Sequence, residues 1–223
     1  MPPAPRSRLV PADTPIHELE YAVVDVETTG RANEGIDRMI EVAAVIVRGG
    51  KVGETYSSLV NPGRPVPPII TRLTGITNAM VSTAPRFADI ATTFAGHLRN
   101  RVFVAQNVGF DWAFVGSELW RATGETLVAE RLCTVRLSRR LLPHLRRRNL
   151  DALAAHYELP IVARHRAFGD ARATAEIFVR LLDELGRQGV HTWKDLTRVL
   201  SGRRRARARR SALPTFMTDW RIA

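Results

Sequence analysis

Two acidic residues interrupt an apolar segment near the N-terminus. The segment Tyr21–Gly30 reads YAVVDVETTG, and its valines favour a β-strand with no breaker before the glycine. Residues i and i+2 of a strand point to the same face, so Asp25 and Glu27 should project side by side. Two buried carboxylates repel each other and lose hydration, which favours a divalent metal with oxygen ligands between them. The alternative is a strand end with two solvated acids, and this segment alone does not decide.

Two further acids stand at the head of apolar helix faces. Asp111 precedes apolar residues at helical spacing up to Ala122, and Asp170 heads a longer stripe of the same kind up to Leu185. Acids are rare on buried faces unless they are paired. Four acids without a matching base would suit two hard cations. Two metals about 4 Å apart can contact the attacking and the leaving oxygen of a phosphodiester.

His165 lies five residues before Asp170. Five residues of a helix turn through about 500°, so the two side chains would not share a helix face. We therefore expect His165 in the loop before the helix, where it can reach over the acids. A histidine there suits a general base that activates water.

The segments that must position these groups alternate between strands and helices. Predicted strands begin at Tyr21 and cover Met39–Val47, Val52–Val60, Val102–Ala105 and part of Leu127–Cys133, with a Gly-Gly hairpin turn between the second and third. Predicted helices lie within 69–79 and along Phe87–Leu98, Asp111–Ala122, Thr134–Leu142, Asn149–Tyr157 and Phe168–Gln188. This alternation indicates an α/β protein.

The chain divides by composition into three parts. We predict a flexible N-terminal arm over 1–17, one domain over 18–190 and a basic C-terminal extension over 191–223. Residues 201–223 contain seven arginines and one aspartate, and so contribute +6 of the net charge of +11. Arginine forms bidentate contacts with phosphate, so the basic balance indicates a polyanionic partner.

Composition also argues against several classes of protein. Cys133 is the sole cysteine of the 223 residues, which excludes an internal disulfide and a cysteine-type zinc site and fits a reducing cytoplasm. No run of 18 apolar residues occurs, so we expect no membrane span. The proline-rich N-terminus lacks the apolar h-region of a signal peptide, so we expect none.

The acids and the histidine lie in three ordered motifs: DVETTG at 25–30, NVGFD at 107–111 and HRAFGDA at 165–171. These motifs resemble those of the DEDDh, or DnaQ-like, exonuclease family, which includes the proofreading epsilon subunit of bacterial replicative polymerase. The resemblance covers about Tyr21 to Val190. It implies a ribonuclease H-like fold with a five-stranded mixed sheet flanked by helices, two Mg²⁺ or Mn²⁺ ions per site, and 3′→5′ removal of nucleotides. By motif position the metal acids are Asp25, Glu27, Asp111 and Asp170, and the base is His165. Many relatives have histidine where this chain has Gln106.

Residues around the motifs are candidates for contact with substrate. The full set is Thr28, Thr29, Gly30, Leu73, Ile76, Asn107 and Phe110. The two threonines could shape the turn or offer hydroxyl and backbone N–H groups to the terminal nucleotide. The resemblance places the turn with Leu73 and Ile76 beside the 3′-terminal base, although those side chains and Phe110 also suit a core. Arg146–Arg148 fits either a solvated loop or a DNA backbone contact.

These observations predict a metal-dependent 3′→5′ exonuclease that acts on a single-stranded or frayed 3′ end of DNA and releases nucleoside 5′-monophosphates. The favoured role is proofreading beside a replicative polymerase, contacted through the C-terminal extension. A stand-alone repair or RNA-trimming exonuclease is the second hypothesis, and a non-catalytic nucleic-acid-binding subunit is the third. The intact set of four acids and His165 argues against the third. No residue identified in the sequence senses the 2′-hydroxyl that separates RNA from DNA.

Overall fold

The computed structural model of the protein describes residues 10–31 and 36–202. Five strands form one sheet: β1 (Glu20–Thr28), β2 (Met39–Arg48), β3 (Lys51–Leu59), β4 (Val102–Ala105) and β5 (Arg131–Cys133). Their order across the sheet is β3-β2-β1-β4-β5. The first three strands pair antiparallel, whereas β4 is parallel to both β1 and β5. The predicted five-stranded mixed sheet is therefore confirmed.

Helices cover both faces of the sheet. They are α1 (Pro68–Thr74), α2 (Asn78–Ser82), α3 (Phe87–Leu98), α4 (Val108–Thr123), α5 (Thr134–Leu141), α6 (Leu150–His156), α7 (Ala167–Arg187) and α8 (Trp193–Ser201). Alternate residues of β1 serve the two layers: Val23 packs with α5 to α8, and Val24 packs with α3 and α4. No helix of the described residues is long and apolar enough to cross a bilayer.

The domain is longer at both ends than its predicted bounds of 18 and 190. Ile16 is 5% exposed and its backbone N–H donates to the carbonyl of His191 over 2.9 Å. Helix α8, which we did not predict, buries Trp193 and Leu196 in the same core cluster. The predicted arm and extension are thus wrong for 10–17 and 191–202, because apolar side chains there complete the core. The rest of both predicted segments, 1–9 and 203–223, lies outside the described residues.

One edge of the sheet collects the ends of four strands. Val23 of β1 is level with Val104 of β4, so Asp25 lies level with Gln106. In the same way Ala105 pairs with Cys133, which puts Gln106 level with the start of α5. Strand β2 runs the other way and begins at this edge. Side chains from distant parts of the sequence therefore meet here.

Candidate active site

Three carboxylates converge at this edge of the sheet. Asp25, Glu27 and Asp170 each offer an oxygen, and these oxygens lie within 4.8 Å of one another. The first two come from β1, where they share a face as predicted. Asp170 is the fourth residue of α7, and its residue surface is 5% exposed. The sheet and the first turn of α7 thus build one acidic cluster.

Asp111 lies beside this cluster. It is the fourth residue of α4 and is also 5% exposed. Its charge is the second cause, after burial, of the raised pKa of Asp25. Backbone N–H groups of Val26 and of Asp111 itself partly offset the effect of burial on the pKa of Asp111. The structure therefore brings together all four acids predicted from the sequence, three of them as a close group.

Burial raises the pKa of all four carboxyls, and repulsion by the other acids raises the pKa of Asp25 and Glu27 further. Burial is the largest cause for each, and it raises the pKa of Asp111 to about 7 and that of Glu27 to about 8. The pKa of Asp25 is raised well above its ordinary value by burial and by the charges of Asp111, Glu27 and Asp170. A bound cation would favour the ionised forms, so cation binding should release protons.

The cluster fits a divalent cation. The Oδ1 atom of Asp170 is buried and has no hydrogen-bond partner among the described residues. A buried carboxylate oxygen without a partner is costly unless a cation or another donor reaches it. The donor set is entirely carboxylate oxygen, which suits Mg²⁺ and Mn²⁺ better than softer metals.

The raised pKa values predict how the metal-free protein responds to pH. Glu27 has an ordinary pKa of 4.5 and a folded-state pKa of about 8, so the folded protein holds a proton that the unfolded chain has lost. Stability in a chelator should therefore fall as pH rises from about 4.5 to about 8. Asp25→Asn should raise the melting temperature at pH 8 in the chelator, because it removes one charge from the cluster.

Thermal melts of both proteins over this pH range, with and without Mg²⁺, test the prediction. Asp183→Asn is the matched control, since that acid is exposed on α7 away from the cluster. A wild-type melting temperature that rises with pH in the chelator would contradict the assignment.

Arg164 supplies positive charge to the cluster. Its guanidinium pairs with Asp170 through Nη1, and its Nε lies 2.8 Å from Oδ1 of Asp151. The same Nη1 lies 3.2 Å from Nδ1 of His165. Its charge also lowers the pKa values of Asp25 and Glu27, against the larger effect of burial. Sequence analysis missed this residue, because nothing in its spacing shows that it turns inward to an acid.

Replacing Arg164 should strengthen metal binding. Arg164→Gln frees a carboxylate of Asp170 and removes a positive charge beside the cluster, so Mn²⁺ affinity should rise by about tenfold. The melting temperature of the metal-free variant should fall, because Asp170 is left buried without its partner. Calorimetric titration of Mn²⁺ into protein without substrate gives the affinity.

Arg172→Gln serves as the control for Arg164→Gln, because Arg172 is half exposed and pairs with Glu176 on the same helix. Weaker Mn²⁺ binding by Arg164→Gln would show instead that this arginine holds the acids in place for the metal.

His165 lies directly before α7, as predicted, and its backbone is in the left-handed region. Its φ is 60° and that of Ala163 is 55°, values that side-chain-bearing residues seldom adopt. A Cβ atom at Gly169 would collide with the carbonyl oxygens of Val162 and Ala163, so glycine allows the loop to lie against α7. Burial raises the pKa of Asp170, and this effect is partly offset by Arg164 and then by His165, whose backbone N–H donates to Asp170.

Glu41 fixes the start of α7. Its carboxylate is 3% exposed and accepts hydrogen bonds from Arg166, including one of 2.6 Å to Nη2, and from the backbone N–H of Ala167 at 2.8 Å. Glu41 pairs with Glu27 across β1 and β2. It therefore ties the helix that carries Asp170 to the strands that carry the other acids. Sequence analysis did not identify this role.

The turn after β1 uses its own hydroxyl groups. Thr28 Oγ1 donates to the carbonyl of Gly30 over 2.5 Å, and Thr29 Oγ1 donates to Asp37 over 3.0 Å while accepting from the backbone N–H of Arg38. A Cβ at Gly30 would collide with the carboxylate of Asp37. These three residues therefore shape the turn. Their contact with a nucleotide stays a prediction.

The other predicted substrate contacts differ in accessibility. Leu73 is 51% exposed on α1, whereas Ile76 is completely buried in a small apolar cluster. Asn107 is exposed at the N-terminus of α4 and its side chain makes no capping hydrogen bond. Phe110 is half-buried against Phe114, with ring centroids 4.9 Å apart. Leu73 and Asn107 are thus the two that present most surface to a ligand.

Gln106 ties a basic loop to the edge of the sheet. Its Nε2 donates to the carbonyl of Arg148 over 2.9 Å, and its Oε1 accepts from the hydroxyl of Thr134. The loop between α5 and α6, residues 142–149, is therefore held next to the strand that borders β1.

Comparisons with known proteins agree with this site and fold. The Exonuclease family profile matches residues 22–178. The chain is 34% identical to the DNA polymerase III subunit epsilon of Aquifex aeolicus over 82% of this chain and 91% of that protein. It is 38% identical to a PolC-type DNA polymerase III of Caldanaerobacter subterraneus over 83% of this chain. A structure of exonuclease X in complex with 5′ overhanging duplex DNA has a TM-score of 0.61, with 29% identity over 82% of this chain and 99% of that one.

The sheet order, the acid quartet and these matches define an exonuclease of the ribonuclease H-like fold class. The chain belongs to the exonuclease family, within its DnaQ-like group, as the three motifs predicted. It spans only 13% to 30% of the length of three of the curated relatives that it matches.

Proposed function

We propose that this protein is a metal-dependent 3′→5′ exonuclease that hydrolyses the terminal phosphodiester of DNA and releases a nucleoside 5′-monophosphate. The observation that carries the proposal is the convergence of Asp25, Glu27 and Asp170 within 4.8 Å, with Asp111 and His165 beside them. Four carboxylates and one histidine at a sheet edge suit hydrolysis of a phosphodiester better than they suit binding alone.

In this proposal Asp25, Glu27, Asp111 and Asp170 hold two Mg²⁺ or Mn²⁺ ions. Such ions would stabilise the negative charge that develops on the phosphate and on the leaving oxygen. The carboxylates must be ionised to hold the cations, which their raised pKa values oppose until a cation binds.

His165 takes the proton of the attacking water. While Arg164 donates to Nδ1, a neutral imidazole carries its proton on Nε2 and cannot accept another there. Release of the guanidinium from His165 and Asp170 would therefore free a carboxylate and a base together. His165 lies in the loop before α7 with a left-handed backbone conformation, and from there it interacts with Asp170 in the first turn of the helix.

The proposed substrate end is single-stranded or frayed. A terminal phosphate would have to reach acids that lie close together at the sheet edge, so the terminal nucleotide would have to leave its stack. Leu73, which is 51% exposed, is the proposed apolar wedge. The similarity to an exonuclease X solved with duplex DNA supports DNA as the substrate. The similarity to an epsilon subunit supports a proofreading role in the cytoplasm beside a polymerase, with 203–223 as the proposed contact.

End-labelled oligonucleotides test this function. Single-stranded DNA, a mispaired primer, a fully paired primer and RNA are compared in Mg²⁺, Mn²⁺ and a chelator. We expect no cleavage in the chelator and faster cleavage of the mispaired than of the paired end, since unstacking costs a few kcal/mol, roughly, and least for a mismatch. Equal rates on paired and mispaired ends would contradict proofreading, and faster cleavage of RNA would favour an RNA-trimming exonuclease.

A further inference from the structure

The positive charge of the described residues is concentrated in one segment. Residues 130–149 contain seven arginines and one acid, whereas the other described residues contain 17 Lys and Arg against 19 Asp and Glu. The segment includes β5, α5 and the loop held by Gln106. Without it, the described part of the protein would carry a small net negative charge.

None of these seven arginines forms an ion pair within the described residues, although nine of the 17 other cations do. Six of the seven are exposed, and we call their surface the arginine face. Its members are Arg131, Arg136, Arg139, Arg140, Arg146 and Arg147. Arg131 also stacks on Trp112, with Cζ 4.6 Å from the ring centroid. Like charges along one short segment repel one another, which an anionic ligand would relieve.

Helix α5 presents its share of the arginine face on one side. Arg136, Arg139 and Arg140 are spaced i, i+3 and i+4, which places them together on a helix surface. The opposite side buries Leu137 and Leu141 in the core. Beside α5, a groove of about 390 Å³ is lined by Arg131, Arg136 and one acid, Glu130, together with Val108 of α4 and Leu200 of α8. The arginine face is therefore fixed by packing.

The arginine face begins next to the acidic cluster. Asp25 is level with Gln106, and Gln106 is bonded to Thr134, the first residue of α5. Two strand spacings separate Asp25 from Thr134, which is about 10 Å. On the other flank of the cluster, Arg166 and Arg38 are already paired with buried glutamates. Exposed arginines without an ion pair among the described residues also occur on that flank, at 31, 64 and 72, but they are scattered, whereas the β5 flank holds six within 131–147.

We propose that the arginine face binds the sugar–phosphate backbone of the substrate strand on the 5′ side of the nucleotide being removed. This inference rests on the proposed exonuclease function, because that function supplies a strand with one end among the acids. Guanidinium groups bind phosphate oxygens through paired N–H donors and carry no base preference, so the contact is independent of sequence. An acidic protein surface is the competing ligand, and the test below separates the two.

A triple substitution in the full-length chain tests the proposal. R136Q/R146Q/R147Q is compared with the control K51Q/R99Q/R180Q, whose three cations are also exposed and unpaired but lie at other edges of the fold. Each variant is measured with a 20-nucleotide single strand and with a trinucleotide, between 50 and 200 mM salt. KM and kcat come from cleavage in Mg²⁺, and binding in a chelator comes from fluorescence anisotropy.

R136Q/R146Q/R147Q should raise KM for the 20-mer by about tenfold or more. The slope of log binding constant against log salt concentration should fall in magnitude by about 2, since each lost phosphate contact removes about 0.7 for a single strand. The variant's kcat and KM for the trinucleotide should match the control. Equal KM and slope in the two variants would overturn the proposal and leave an acidic protein as the ligand of this face. If the wild type cleaves neither substrate, the proposed function fails, and anisotropy still decides whether the arginine face binds the strand.

Discussion

Asp25→Ala should abolish cleavage and leave the fold intact. Burial and the charges of Asp111, Glu27 and Asp170 all raise the pKa of Asp25, so it interacts with each of the other acids. In the proposed mechanism its loss removes a metal ligand and with it several kcal/mol, roughly, of stabilisation of the phosphate charge, so kcat should fall by about a thousandfold or more. The metal-free variant should melt no lower than the wild type, since one repelling charge is gone.

Cleavage of labelled single-stranded DNA and a thermal melt in a chelator measure the two effects of Asp25→Ala. Asp183→Ala, an exposed substitution on α7, is the control and should retain wild-type turnover. Wild-type turnover by Asp25→Ala would contradict the assignment of the acid cluster to catalysis.

His165→Ala should lower turnover strongly and metal affinity little. A general base contributes roughly 10²- to 10⁴-fold to a rate, whereas the four carboxylates proposed to hold the cation remain. A histidine base gives the rate an acid limb in its pH profile, and the variant should lack that limb. The two effects can be separated because His165 belongs to the loop before α7, whereas Asp170 belongs to the first turn of that helix.

Single-turnover rates across pH and Mn²⁺ titration without substrate distinguish these effects of His165→Ala. His191→Ala is the control, because that side chain is exposed beyond the end of α7. Loss of metal affinity equal to the loss of rate would assign His165 to the metal site, and an unchanged rate would assign the base to another group.

The strands and the acids of the site could be predicted from the sequence because both depend on local pattern. Asp25 and Glu27 stand two apart on a strand, and Asp111 and Asp170 interrupt apolar helix stripes, so spacing alone placed them on inward faces. Gly49 and Gly50 adopt φ of 56° and 69°, as a tight hairpin requires, and this turn set the pairing of β2 with β3.

The supporting residues could not be found in this way, because their partners are distant in sequence. Glu41 bonds Arg166, 125 residues further on, and Arg38 bonds Glu118, 80 residues further on. Helix α8 was missed for a different reason. Thr192 caps it by accepting from Asp195, and Trp193 and Leu196 are three apart, but the basic run after it dominated the composition of that segment.

The segment that enters α7 concentrates chemistry and conformational cost in the same few residues. Glu158, Ala163 and His165 all have positive φ, and each such residue without glycine's freedom costs about 1–2 kcal/mol. Glycine at 158 or 163 would cost less, because it adopts positive φ freely. The approach to α7 is therefore a place where the fold could be made more stable without changing His165 or the acids.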